Sequence, residues 1–298
     1  MANKYQQELN QKQLLSAQEL QHLLHEPNTI LFDVRHDLMN HQLGRQQYMQ
    51  GHIPEAYFLD TEVDLTGAVT PQSGRHPLPD FTQFRALMLR YGVDQASHVV
   101  VYDASQGAMA ARMWWLLQWA GFERVSILDG GWQAWLAAHG VIDTHLALPR
   151  VSRDMNTEFS VGVSPQQSIM QADQIVAQLK ASTSDYVLLD ARAAERYRGE
   201  KEPIDPVAGH IPTALNRPVS ENLQENGCFK PAAQLHTEFK QLLGDVNPES
   251  VVHYCGSGVA ACHNLFAMNL AGLRGSALYP GSWSEWMTNP DRPRGRDV

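Results

Sequence analysis

The sequence predicts an α/β protein built from two copies of one unit, each a mostly parallel sheet with helices on both faces. Three observations carry this. Short β-branched and apolar runs alternate with stretches of helical periodicity, as in a sheet whose crossovers are helices. A series of segments recurs in the same order in both halves, which chance does not readily produce. One of the paired strands runs into Cys255-Gly256-Ser257-Gly258-Val259-Ala260-Ala261, so a cysteine sits where a strand ends and a helix begins.

In order along the chain, Leu14 to Leu24 has amphipathic helical spacing and Ile30-Leu31-Phe32-Asp33-Val34-Arg35 reads as a strand closing in a charged pair; Ile169 to Leu179 and Val187-Leu188-Leu189-Asp190-Ala191-Arg192 repeat them. Gly51-His52-Ile53-Pro54 is echoed by Gly209-His210-Ile211-Pro212, whose histidines are expected to brace loops. Val99-Val100-Val101-Tyr102-Asp103 matches Val251-Val252-His253-Tyr254-Cys255, and the helices that follow end in Ala120-Gly121 and Ala271-Gly272. Gly130-Gly131-Trp132-Gln133-Ala134-Trp135 matches Gly281-Ser282-Trp283-Ser284-Glu285-Trp286, tryptophans that fit core or cleft walls. The expected domains are 1–145 and 165–298, joined by a linker over 146–164 that carries Pro149 and little periodicity. The tail from Asn289 has two prolines, three arginines and no helical pattern.

Two domains suit 298 residues, and 43% hydrophobic residues suffice for two cores. A net charge of -9 without a basic cluster argues against nucleic acid and anionic membranes as partners. The polar, Gln-rich stretch Met1 to Gln13 has no apolar signal core, and no stretch is apolar enough to span a bilayer. Three cysteines without zinc-ligand spacing point to a reduced, cytoplasmic protein and to no metal site.

In open parallel sheets ligands bind beyond the C-terminal ends of the strands, where Cys255, Asp33, Asp103 and Arg192 are expected. Gly256 and Gly258 let the backbone turn tightly, with amides free to point inward and a helix N-terminus behind them. Such a cradle stabilises a thiolate. A merely buried strand-end cysteine would not require Gly-Ser-Gly after it. In the first copy Asp103 holds the place of Cys255 and cannot accept sulfur, so that copy is expected to be non-catalytic and to supply one wall of a cleft. Cys262 falls inside the following helix and is expected to be buried.

These residues resemble the rhodanese superfamily in its tandem two-domain form, from about Leu14 to Trp286. The most specific parts are the cysteine loop, the two Gly-His-Ile-Pro segments and the closing Gly-Ser-Trp-Ser-Glu-Trp. The loop Cys-Gly-Ser-Gly-Val looks like that of the mercaptopyruvate sulfurtransferases; thiosulfate sulfurtransferases usually carry Arg-Lys after the cysteine, where this chain has Gly256 and Ser257. The family usually continues Val-Thr-Ala, and Ala260 stands here for the threonine.

The resemblance implies a sulfurtransferase. Cys255 takes sulfur from a small-molecule donor, mercaptopyruvate or thiosulfate, as a persulfide. A thiol, cyanide or a reduced, thioredoxin-like protein dithiol then removes it. No cofactor or metal is needed. The amides of Gly256, Gly258, Val259 and Ala260 would hold the anion. The resemblance further implies substrate binding by Arg192, in an Asp-x-Arg motif, with Arg196 a second candidate. Ser257 would work with a histidine, best matched by His76 in Gly74-Arg75-His76-Pro77, and with an acid. Glu62 fits one register for that acid, with Asp60 and Asp64 close by. Two rival readings remain: a non-catalytic sulfur carrier or regulatory module loaded by a protein partner, and a cysteine phosphatase. The loop lacks the arginine that ends a phosphatase loop.

Overall fold

A computed structural model describes residues 8–147, 168–181 and 185–296 of the chain. Residues 148–164 of the expected linker lie outside them. Two compact units form, one from Met1–Thr66 and Pro79–Ser164, the other from Gly67–Leu78 and Pro165–Val298. The stretch Gly67–Leu78, which the sequence-based boundaries leave in the N-terminal copy, therefore packs with the C-terminal unit.

In the N-terminal unit the strands β1 (Leu14–Leu15), β2 (Thr29–Asp33), β3 (Tyr57–Phe58), β4 (His98–Tyr102) and β5 (Val125–Leu128) are all parallel, in the order β1-β5-β4-β2-β3. Every residue of β2 and β4 is buried, which is why these strands read as continuous apolar runs rather than as alternations.

In the C-terminal unit β6 (Val187–Asp190), β7 (Leu215–Asn216), β8 (Val251–Tyr254) and β9 (Ala277–Leu278) are parallel, in the order β7-β6-β8-β9. Ile169 adds a parallel bridge to Leu278 at the β9 edge. Read from that edge, the order repeats that of the first unit, so the duplication extends to the topology.

The expected helices over Leu14–Leu24 and Ile169–Leu179 both start later than their periodicity indicates. Leu14 and Leu15 pair with Ile127 and Leu128, and the helix is Ala17–Leu23. Ser16 sets its start through a capping box: the Glu19 N–H donates to Ser16 Oγ at 3.2 Å, and the Ser16 N–H donates to Glu19 Oε2 at 2.9 Å. The second copy does the same, its helix running Ala172–Lys180 after Ile169 has bridged to β9. The helices Ala108–Trp119 and Val259–Leu270 end as expected, with Gly121 and Gly272 at φ of 87° and 77°, a left-handed conformation that glycine adopts without strain. His52 and His210 brace their loops alike: each ring stacks on a tyrosine, Tyr48 or Tyr197, and bonds that tyrosine's carbonyl.

Two central-strand histidines give the fold a pH dependence. Burial holds His98 down to about 4 and His253 down to about 3, from an ordinary value near 6.5. Both are neutral in the fold, while the unfolded chain protonates them below pH 6.5. Stability is therefore fully present above that pH and is lost as pH falls toward 4, at up to about 1.4 kcal/mol per pH unit for each histidine. Urea midpoints should fall between pH 7 and 4.5, and the slope should flatten in His98→Gln; a midpoint independent of pH would contradict this.

Candidate active site

The strand β8 lies between β6 and β9 and delivers Cys255 at its C-terminal end. The chain then reverses through Gly256 and Ser257 into the helix Val259–Leu270. Gly258 makes the turn at a φ of 84°, and a methyl group there would lie 2.3 Å from the Pro280 carbonyl oxygen, so both the conformation and the space exclude a side chain. The Gly258 N–H points at Cys255 Sγ from 3.1 Å. Behind it come the first amides of the helix, at Val259, Ala260 and Ala261, which have no carbonyl one turn earlier in the helix to bond. The segment after β9 holds the loop from the other side. The Cys255 N–H donates to Ser282 Oγ (3.0 Å), the Trp283 N–H to the Cys255 carbonyl (2.9 Å) and the Ser284 N–H to the Gly256 carbonyl (2.9 Å). The sulfur is nearly buried, with Cys255 2% exposed. Cys262 is buried one turn into the helix, its thiol donating to the Gly258 carbonyl, and Cys228, Cys255 and Cys262 are all free thiols.

The first unit shows what such a loop holds. Asp103 follows β4 as Cys255 follows β8. Its carboxylate accepts four backbone N–H groups: Ser105 (3.0 Å) and Gly107 (2.9 Å) on Oδ1, Met109 (2.8 Å) and Ala110 (3.0 Å) on Oδ2. Gly107 stands before its helix at a φ of 88°, as Gly258 does at 84°. The Trp132 N–H bonds the Asp103 carbonyl just as Trp283 bonds that of Cys255. The loop geometry thus binds a two-oxygen anion through the backbone alone.

The stretch Gly67–Leu78 brings side chains to the cysteine loop. His76 Nδ1 lies 2.7 Å from Ser257 Oγ, and both residues are buried. Gly74 packs so closely that a methyl group on it would sit 2.5 Å from the Gly281 carbonyl oxygen, and the Arg75 N–H donates to Ser284 Oγ at 3.1 Å. Ser257 and His76, far apart in sequence, are thus joined. Glu62 belongs to the N-terminal unit, where its Oε1 lies 3.4 Å from His36 Nε2 and 3.8 Å from His41 Nδ1. Its N–H donates to Asp60 Oδ1 (3.0 Å), and Asp64 Oδ2 accepts the Asp60 N–H (2.8 Å).

Arg192, the residue expected to bind substrate, is held in a buried network. Arg192 is 3% exposed. Its Nε and Nη2 grip Asp190 at 2.7 to 3.1 Å, Nη2 also bonds the Gly209 carbonyl (2.7 Å), and the guanidinium lies 5.0 Å from the Trp283 ring centroid. Burial opposes its charge, but Asp190 outweighs burial and raises its pKa. Arg35 makes the same contacts in the unit without the cysteine, with Asp33, the Gly51 carbonyl and Trp132, whereas Arg192 also reaches Glu202, the partner of Arg196 (Nη1–Oε2 3.4 Å). A motif present in both copies, one of them without the cysteine, fits a brace of the fold. The Asp-x-Arg pattern gave no means of separating a brace from a ligand.

Arg196 is where the sequence reading had less to go on, and it does reach the loop. A methyl group built on Gly256 would lie 3.6 Å from Arg196 Nη2 and 2.9 Å from Arg75 Nη2. Arg196 bonds Glu202 (Nε–Oε2 3.1 Å, Nη2–Oε1 2.6 Å) and Asp205 Oδ2 (3.2 Å), while Arg75 Nη1 pairs with Asp205 Oδ1. Burial would raise Glu202, but Arg196 and the backbone amides of Asp205 and Ile204 bring it below its ordinary value; at Asp205 burial prevails and the carboxyl is raised. Sequence reasoning passed over Arg75 and Asp205. Arg75 adjoins His76 and could have been suspected; nothing marks Asp205.

Rhodanese-like domains match residues 16–138 and 172–289. A Pseudomonas aeruginosa protein named as a probable 3-mercaptopyruvate sulfurtransferase is 45% identical over 287 residues, 96% of this chain and 98% of that one. The Mycobacterium tuberculosis "Putative thiosulfate sulfurtransferase SseB" is 39% identical over 95% of this chain and 96% of its own. The solved 3-mercaptopyruvate sulfurtransferase from Leishmania major superposes with a TM-score of 0.80 at 28% identity, over 95% of this chain and 75% of that one. The chain belongs to the rhodanese family, carries the domain twice in tandem, and is a sulfurtransferase. It accordingly takes sulfur from a small-molecule donor and passes it to a thiophilic acceptor. Among the described residues no helix is long and apolar enough to cross a membrane, and no group of three or more His, Cys, Asp or Glu could hold a metal ion.

If Arg192 is a brace, Arg192→Ala and Arg35→Ala should each lower unfolding free energy by about 3–5 kcal/mol, because each leaves a buried aspartate unpaired. Urea denaturation checks this. Unchanged stability with a raised donor KM in Arg192→Ala would restore the binding role.

Proposed function

We propose that this protein moves one sulfur atom from 3-mercaptopyruvate to a thiophilic acceptor through a persulfide on Cys255. The observation that carries the reading is the Gly258 N–H aimed at Cys255 Sγ at the head of a helix, in a loop whose twin holds a carboxylate. The catalytic unit is then 165–298 together with Gly67–Leu78. The N-terminal copy is non-catalytic, because Asp103 occupies the cysteine's place.

In the first half-reaction the Cys255 thiolate attacks the donor sulfur. The S–S bond forms as the donor's C–S bond breaks, and the electron pair leaves on carbon as the pyruvate enolate. That carbon takes the proton of the donor thiol, so a thiolate and a mercapto acid become a persulfide anion and pyruvate. Ser257 and His76, 2.7 Å apart, are suited to relay this proton. The outer sulfur carries the negative charge, and the amides of Gly258, Val259 and Ala260, at the head of the helix, are suited to receive it. Arg196 is suited to the donor carboxylate. In the second half an acceptor thiolate, such as that of a thioredoxin-like dithiol, or cyanide attacks the outer sulfur, and Cys255 departs as the thiolate. The three free thiols fit a reducing compartment such as the cytoplasm.

Mercaptopyruvate is preferred over thiosulfate because Gly256 and Ser257 put no charge in the loop and because a Ser–His pair is useful only when the leaving group needs a proton. Sulfite, the leaving group from thiosulfate, needs none. Intact mass after donor treatment should show one added sulfur atom in the wild type and none in Cys255→Ser. Ser257→Ala and His76→Asn should lower kcat for mercaptopyruvate about 10²-fold or more while changing thiosulfate turnover far less. Equal losses with both donors would remove the proton relay. Loading only from a protein partner would favour the sulfur-carrier reading.

A further inference from the structure

We propose that a buried polar network of Arg217, Asn222, His263 and Asn264 positions the helix after the cysteine loop, so that its first amides face the sulfur of Cys255. The proposal rests on the reading of Cys255 as the sulfur acceptor, and it names positioning residues, not catalytic ones.

The helix Val259–Leu270 carries two polar side chains into the interior on its second turn, His263 and Asn264. Asn222 ends the one-turn helix Val219–Asn222, is also buried, and meets both. Its Nδ2 donates to Asn264 Oδ1 at 2.6 Å and lies 3.1 Å from His263 Nδ1. Asn222 Oδ1 accepts the Arg217 Nε–H (2.8 Å), and Asn264 Nδ2 donates to the Arg217 carbonyl (2.8 Å). Both asparagine side chains are thus bonded through oxygen and nitrogen alike. Arg217 ties the group to the sheet. It follows β7, and its N–H donates to the carbonyl of Asp190 at the end of β6 (2.9 Å). Glu238 Oε2 takes its Nη2 at 2.7 Å and balances its charge. The His263 ring stacks on Phe229, 4.6 Å between centroids.

Counted from the paired strands and the helix starts, the first unit has Leu59 in place of Arg217, Arg112 in place of His263 and Met113 in place of Asn264. Leu59 and Met113 cannot make these bonds, yet that unit builds a matching sheet and a helix of the same 12 residues. The fold alone therefore does not call for the network. Burying two side-chain amides and a guanidinium is less favourable than burying apolar groups of like size, and it is done in the unit that has the cysteine. Apolar packing has no direction and leaves a helix free to settle in neighbouring positions, whereas hydrogen bonds to the ends of β6 and β7 select one. Asn264 lies one turn beyond Ala260, about 6 Å along the helix axis, so holding it holds the amides. The first unit has less need of such a hold. Its Asp103 carboxylate gathers four amides with two oxygens, while a single sulfur atom depends on amides already in place.

The test is single-turnover sulfur loading of Asn264→Met from 3-mercaptopyruvate, followed by intact mass, together with alkylation of Cys255 by iodoacetamide at pH 7. Loading at saturating donor should slow about tenfold with donor KM within about threefold, because the amides act on charge at sulfur and not on donor binding. Alkylation should slow about fivefold, since a less stabilised thiolate is less abundant. A second pair leaves Asn264 intact: His263→Leu removes the acceptor facing Asn222 and should slow both reactions, while His263→Gln offers one and should stay within about twofold of wild type. Unchanged loading in Asn264→Met overturns the proposal, as does a raised KM at unchanged maximal rate. Equal rates in His263→Leu and His263→Gln overturn it too, since packing alone would then account for the effect, and this holds even where Asn264→Met does not fold. Wild-type protein that gains no sulfur on Cys255 would instead sink the persulfide reading, which the alkylation rates do not depend on.

Discussion

The proposed reaction sets one constraint on the C-terminal unit: a sulfur anion must be held where a buried parallel strand gives way to a helix. A charge at the edge of a hydrophobic core is costly unless polar groups meet it. The backbone supplies them here. The central position of β8 brings Cys255 to the sheet's C-terminal edge, Gly258 makes the reversal that no residue with a side chain could make beside Pro280, and the helix behind it presents its first amides. Residues 282–284 bond the loop through Ser282 Oγ and two amides, and that support fixes the direction in which the cradle faces.

The two copies separate what the fold requires from what chemistry requires. The aspartate–arginine–tryptophan brace, the histidine stacked on tyrosine and the left-handed glycine before the helix occur in both units. Those features build the scaffold. What differs is the occupant of the cradle. In one unit a carboxylate fills it through four amides; in the other a thiol takes that place, and Ser257 of the same loop meets His76. The segment Gly67–Leu78 is the device that makes the second copy more than a repeat, since it brings His76 and Arg75 to a loop that carries no charge of its own.

Much of this was legible in the sequence. Continuous apolar runs gave the buried strands, internal repetition gave the two units, and Gly-Ser-Gly after a strand gave the loop. Ser16 and Gln171 show where periodicity falls short: helix starts are set by caps, so the leucines before Ser16 and Ile169 before Gln171 joined strands instead. The Asp-x-Arg motif marked Arg192 as important without telling which partner it serves, because a buried brace and a ligand-binding fork have the same composition. Asp205 could not be found at all. It joins Arg196 to Arg75, which lies 130 residues earlier in the chain and folds against it.

The most direct measurement is amide hydrogen exchange, resolved by residue, with Cys255 unloaded and carrying a sulfur atom. The amides of Ser257 to Ala261 should exchange markedly more slowly once the persulfide is present, as anion acceptors close on them. The amides of Ser105, Gly107, Met109 and Ala110, already held by Asp103, should be slow and unchanged in both states. Loop amides that exchange at the same rate in protein shown to carry sulfur on Cys255 would mean that the backbone does not hold the anion.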